Sequence, residues 1–146
     1  MSGAPTFEFV EGVTGDLTFA AHGATLGELF AAAGEALLAA SVVEPGRIEP
    51  RESHAIALEE PDLELLLLRF LSELVFLRDA RKLLLRAGTL EITSADGGAR
   101  LGGVLRGERF DPARHELAHD VKAVTAYGLA IARDASGYRV RVTLDV

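Results

Sequence analysis

Two segments in the first half of the chain space their apolar residues at helical intervals, and this pattern constrains the fold most. The first begins at Thr25, where Glu28 three residues later completes a capping box. The second follows Pro61, which we expect in the first helical turn, where its missing N–H would have no partner. Its apolar face from Leu63 to Leu77 is broad enough to contact both a sheet and the first helix.

The second half of the chain changes to a period of two, which is typical of strands. The Asp96-Gly97-Gly98 and Ala135-Ser136-Gly137 segments are predicted turns, and the last two strands a hairpin. The sequence therefore predicts an α+β fold with two helices on one side of a mostly antiparallel or mixed β-sheet that contains both terminal regions. The strand candidates are Phe7–Phe9, Asp16–His22, one strand or a broken pair within Ile48–Leu58, Leu83–Leu85, Leu90–Thr93, Ala99–Leu101, Val104–Arg106, Val121–Ile131 and Tyr138–Leu144.

Length and charge bound the function. The 146 residues contain no repeat or linker and predict one domain, residues 1–146. The absence of cysteine excludes disulfides, thiolate zinc sites and a cysteine nucleophile. With 15 Lys+Arg against 22 Asp+Glu, the net charge of -7 argues against strong direct binding of nucleic acid. A connection with RNA is therefore expected to run through a protein partner.

Neither a secretory signal nor a membrane span is indicated. The first residues lack a basic region followed by an apolar one. The most apolar stretch is interrupted by Glu64, Arg69 and Glu73, which is typical of a core helix. We expect a cytoplasmic protein without membrane contacts.

The segment His115-Glu116-Leu-Ala-His119 matches the HExxH pattern of zinc hydrolases, in which a helix presents both imidazoles to one zinc ion. Pro112 lies just upstream and strand composition resumes at Asp120, so little room remains for such a helix. We interpret the match as a polar loop and keep a zinc hydrolase as a remote alternative. The glycines form no nucleotide-binding motif.

Two aspartates lie at the ends of predicted strands. Asp16 begins the second predicted strand and Asp145 directly follows the last one, while Lys122 lies on a third. Two such acids, with the lysine beside them, could form a small site for a hard cation. The spacing alone equally fits two solvated acids at strand ends.

Several ordered motifs resemble the archease family, whose members activate the RtcB-type tRNA-splicing ligase and have been linked to chaperoning of a tRNA methyltransferase. The resemblance covers nearly the whole chain. The motifs that carry it are Thr14-Gly-Asp16 with Gly23 and Thr25–Phe30, Phe70–Leu77, Gly107–Pro112 with His115-Glu116, Asp120–Thr125 and Leu144-Asp145-Val146.

The resemblance implies a non-enzymatic activator of an RNA ligase. It assigns Asp16 and Asp145 as ligands of Ca²⁺ or Mg²⁺, with a carbonyl or terminal carboxylate oxygen of Val146 as a further ligand. An all-oxygen set of this kind suits those cations and disfavours zinc. Lys122 matches the lysine that the family needs for activation.

Two family histidines are absent from this chain. Their positions are Val13 in the first block and Tyr127 in the penultimate one, and Ala126 replaces the family's tyrosine. Fold and cation site are therefore expected to be better preserved than ligase activation. A chaperone-like module for a tRNA-modifying enzyme is the alternative.

Overall fold

The computed structural model describes residues 6–11 and 16–146. Within them lie two α-helices, eight strands and one turn of 3-10 helix. In chain order the elements are β1 (Thr6–Val10), β2 (Asp16–Gly23), α1 (Leu26–Ser41), the 3-10 turn (Pro45–Arg47), β3 (Glu52–Glu60), α2 (Leu63–Arg81), β4 (Leu83–Ala95), β5 (Gly98–Arg109), β6 (Ala123–Thr125), β7 (Ala132–Asp134) and β8 (Gly137–Asp145).

The strands form two antiparallel sheets. One follows the order β1-β2-β8-β6, with β7 also paired to β8, and the other the order β3-β5-β4. The α+β class is confirmed, and both terminal regions belong to the five-stranded sheet. The expectation of one sheet was wrong, because β3 and β4 occupy both edges of β5 and leave it no edge for β8.

Local capping starts both helices. The Thr25 hydroxyl accepts the backbone N–H of Glu28 at 3.1 Å, and the Asp62 carboxylate accepts that of Leu65 at 2.8 Å. Pro61 therefore precedes the cap instead of lying in the first turn, because Asp62 supplies the oxygen that the free N–H groups require. The left-handed backbone of Lys82, φ 57°, ends α2.

The core lies where the two helices meet the sheets, since each helix contacts strands of both. Alternate residues of β2 face this core, and so do the broad apolar faces predicted for the helices. We call the opposite side of the five-stranded sheet, which carries Asp16, Thr18, Ala20 and His22 of β2, its outer face. The largest fully buried side chains are Phe19, Leu29, Phe30, Leu66, Leu67, Phe70, Leu71, Leu84, Leu105, Leu144, Val42 and Val121.

The structure corrects several predicted strand bounds. Four short candidates merge into the long strands β4 and β5, which the predicted turn at Asp96-Gly97 joins. The predicted strand Val121–Ile131 is reduced to β6, because the chain turns at Gly128, whose φ of 63° is left-handed. The predicted turn at Ala135-Ser136-Gly137 is confirmed, but the strand that it joins to β8 is β7, which lies just after the predicted Val121–Ile131.

No helix in the part of the chain that the structure describes has both the length and the apolar composition needed to cross a bilayer.

Candidate functional site

The two candidate aspartates lie directly opposite each other. Asp16 is the first residue of β2 and Asp145 the last of β8, and the antiparallel register pairs them. Residues paired in this way have Cβ atoms about 4.5–5.5 Å apart on one face of the sheet. Both aspartates are exposed. The end of the outer face thus carries two adjacent carboxylates with access to solvent.

Lys122 approaches the same place from the other side of β8. Its backbone N–H donates to the carbonyl of Asp145 at 2.8 Å, and Ala123 pairs with Asp145 in the register. Lys122 is exposed. The prediction that Lys122 lies on a strand was wrong, because β6 begins only at Ala123. The pairing of β6 and β2 with β8 still brings Lys122, Asp16 and Asp145 to one end of the sheet.

Val146 is half-buried, and its side chain packs against the main core. Packing of this side chain fixes the chain just after Asp145. The proposed ligand role of its backbone oxygen stays a prediction.

A row of threonines lies next to the aspartate pair on the outer face and was not recognised from the sequence. The hydroxyls of Thr18 and Thr143 are 3.1 Å apart, and Thr125 donates its hydroxyl to the Thr143 carbonyl at 3.0 Å. Thr18 and Thr143 are both buried. Each lies two residues from an aspartate, so the period of two could have placed them on that face. The row holds the three strands in register behind the acids.

The donor set fits a hard divalent cation. Two adjacent carboxylates repel each other when no cation lies between them, and oxygen is the ligand that Ca²⁺ and Mg²⁺ prefer. The described residues contain no group of three or more His, Cys, Asp or Glu side chains that could hold a metal. A cation here would therefore complete its coordination with backbone carbonyls or water, as Mg²⁺ commonly does and Ca²⁺ accepts.

The HExxH segment cannot act as a zinc site. His115 is buried, and the segment lies outside any helix. The Nδ1 of His115 accepts the backbone N–H of Asp111 at 2.9 Å, so the ring hydrogen is on Nε2. That nitrogen lies 2.8 Å from an oxygen of Glu108. Both ring nitrogens are therefore engaged, while His119 is exposed. This imidazole has a structural role.

Glu108 is the centre of that structural cluster. Its carboxylate is buried and accepts hydrogen bonds from the Glu49 backbone N–H at 3.2 Å, from Arg114 at 2.7 Å and from His115, and it lies 3.2 Å from Arg51. Burial alone would raise the pKa of Glu108. The hydrogen bonds from Glu49, His115 and Arg114 outweigh burial and hold the pKa below its ordinary value of 4.5.

The two positions where family histidines are missing have different surroundings. Tyr127 is 73% exposed in the turn after β6. Val13 lies outside the described residues. The remaining histidines of the strands, His22 and His54, belong to no described cluster of metal ligands.

Comparisons with known proteins give the family. The model of the archease protein family (MTH1598/TM1083) matches residues 7–146, a range that includes Asp16, Lys122 and Asp145. The chain belongs to the archease family. Protein archease of Pyrococcus furiosus is 37% identical over 124 residues, which cover 85% of this chain and 87% of the relative.

Solved structures of other archeases share the fold. The solution structure of Methanobacterium thermoautotrophicum protein 1598 is 31% identical, has a TM-score of 0.82 and covers 96% of this chain and 98% of that one. The crystal structure of TM1083 from Thermotoga maritima, described as an archease and possible chaperone, is 19% identical, with a TM-score of 0.63 and coverages of 95% and 98%. At this identity the second likeness concerns the fold alone. The resemblance found in the motifs is thereby confirmed.

Proposed function

We propose that this archease is a non-enzymatic accessory protein that binds a divalent cation between Asp16 and Asp145 and promotes guanylylation and turnover of an RtcB-type RNA ligase, in cytoplasmic tRNA splicing or RNA repair. The observation that carries the proposal is the direct pairing of Asp16 with Asp145, with Lys122 bonded to the Asp145 carbonyl. Three exposed charged residues converge there, in a chain whose residues 7–146 match the family model.

The position of these residues supports action on a partner. They lie at one end of a sheet and not in a deep cleft, so a docked protein can reach them. A bound cation would supply positive charge at the surface, able to attract a phosphate or carboxylate oxygen of the partner. The two aspartates would hold that charge in place, and Lys122 would add a flexible ammonium group beside it. The chemical step itself belongs to the ligase.

The net charge supports a protein partner over RNA. At -7, the chain repels the phosphate backbone as a whole. Local positive charge from a cation and Lys122 would be confined to the end of the sheet. We infer that RNA is held by the ligase while the archease contacts the ligase.

A ligation assay under multiple-turnover conditions tests this function. The archease is added to the RtcB-type ligase of its own genome with Ca²⁺ or Mg²⁺ present, and joined RNA is measured over several turnovers. We expect faster guanylylation and continued turnover in its presence, because the archease would return the ligase to an active state. An unchanged turnover rate with the cognate ligase would refute the activator role.

A chaperone-like module for a tRNA-modifying enzyme such as a methyltransferase is the second candidate. The description of TM1083 as a possible chaperone favours it, and an acidic surface could keep a basic client soluble. Light scattering during heating of the methyltransferase separates the two functions. Suppressed aggregation without any effect on ligation would favour this second candidate.

A further inference from the structure

The outer face of the five-stranded sheet contains a groove of about 650 Å³, away from the aspartate pair. Strands β1, β2 and β8 form its floor, and the segment 128–132 forms one wall. The residues that line it are Thr6, Phe7, Glu8, Ala20, Ala21, His22, Gly128, Ala130, Ala132, Arg139, Val140 and Arg141.

A gap in strand pairing creates the groove. Strand β8 pairs with β7 at residues 137–139 and with β6 at 143–145, which leaves residues 140–142 without a strand partner on that side. Residues 126–131 leave the sheet opposite this gap through the turn at Gly128. The backbone of this segment is held by Glu64 of α2, which accepts the Ile131 N–H at 3.0 Å. The segment that forms this wall of the groove is therefore held in place by a contact with α2.

Small side chains leave the floor open. The register places Ala20 between Glu8 and Arg141, and Gly128, Ala130 and Ala132 lie along the wall. An extended peptide backbone can approach a surface of this kind closely. Larger residues at these positions would fill the space.

The groove is lined by two arginines and one acid. The arginines are Arg139 and Arg141, and the acid is Glu8 on the β1 margin. Arg139 is paired with Asp134 at 3.1 Å. No carboxylate among the described residues pairs with the exposed Arg141. Its guanidinium is therefore available to bind a carboxylate in two-point geometry.

We propose that this groove binds an extended acidic segment of a partner protein, with a carboxylate of the segment on Arg141 and its backbone over Ala20. Nucleic acid would need several cations in a row along its phosphates, whereas Arg141 is the one arginine of the described groove lining without a carboxylate partner. The partly apolar lining suits a peptide better than a free phosphate ion. Arg141 lies four residues from Asp145, about 13 Å along the strand at 3.3 Å per residue. One partner could therefore occupy both the groove and the aspartate end of the same face.

A titration followed by ¹H–¹⁵N NMR in metal-free buffer tests the groove independently of the cation site. The probe is a capped pentapeptide of alternating glutamate and alanine. We expect saturable shifts confined to the residues that line the groove. The alternating lysine–alanine peptide, inorganic phosphate and hexauridylate should each cause smaller shifts.

Two matched variants define the contact. Arg141→Gln should weaken peptide binding about fivefold, because the variant loses a charge-assisted hydrogen bond between solvent-exposed groups. Arg109→Gln removes the same charge from an exposed position on the three-stranded sheet and should leave the affinity unchanged. Three results would overturn the proposal. They are NMR shifts outside the groove, binding of phosphate or hexauridylate as strong as that of the glutamate–alanine peptide, and equal peptide affinities of Arg141→Gln and Arg109→Gln.

Discussion

Replacing Glu108 by glutamine is expected to lower the free energy of unfolding by about 3 kcal/mol, the lower end of the cost of breaking a buried ion pair. The carboxylate accepts from Glu49, Arg114 and His115. A glutamine offers one acceptor oxygen to these donors, and its own NH₂ group would face them. We expect a cost at the lower end of the range for buried ion pairs, because about 29% of the Arg114 side chain is exposed. Urea denaturation at neutral pH measures the change.

A control variant and the pH dependence sharpen this prediction. Glu59→Gln removes a carboxylate that is 66% exposed and paired with Arg100, and it should change stability by less than about 1 kcal/mol. The pKa of Glu108 is held below 4.5, so its contribution is fully present above that pH and is lost as the pH falls through the lower pKa of the folded protein. The difference between wild type and Glu108→Gln should therefore shrink below pH 4.5. A difference that stays constant into that range, or equal effects of both variants, would contradict the structural role of Glu108.

Changing Lys122 to alanine is expected to remove the acceleration of ligation altogether. The backbone N–H of Lys122 donates to the Asp145 carbonyl, so the variant keeps that contact and loses the ammonium group. The exposed side chain contributes little to folding, and stability should change by less than about 0.5 kcal/mol. The ligation assay described above, together with thermal unfolding, checks both statements.

Lys82→Ala is the matched control, because Lys82 is the other lysine of the chain and is also exposed. It lies at the end of α2, where its ammonium donates to the Asp79 carbonyl. This variant should accelerate ligation like the wild type. Full acceleration by Lys122→Ala would show that the ammonium group has no part in activation.

The helices and the hairpin strands were predictable because local chemistry determines them. The capping oxygen at Thr25 and the apolar spacing of α2 contain the information needed. The division into two sheets was not predictable, because it depends on which strands flank β5, and period-two patterns do not specify a neighbour. The false strand at Val121–Ile131 had strand composition, but tertiary contacts and Gly128 take the chain out of the sheet.

The site shows the same division. The sequence indicated that Asp16 and Asp145 lie at strand ends. Their direct opposition could not be predicted, because it depends on the register of β2 against β8. The structural use of His115 could not be read from HExxH, since its partner Glu108 belongs to a preceding strand and the hydrogen bonds form only after folding. Arg141 gave no signal, because its groove arises from a gap in pairing.

Calcium titration by isothermal calorimetry tests the central claim most directly, namely that the Asp16–Asp145 pair binds a divalent cation. Wild type, Asp16→Asn, Asp145→Asn and the control Asp96→Asn, an exposed acid in the turn of the three-stranded sheet, are compared after removal of bound metal. We expect one site in the wild type and the control, and at least about tenfold weaker binding in each of the other two variants, since each loses a charged ligand. Calcium affinity that is the same in all four proteins would contradict the account.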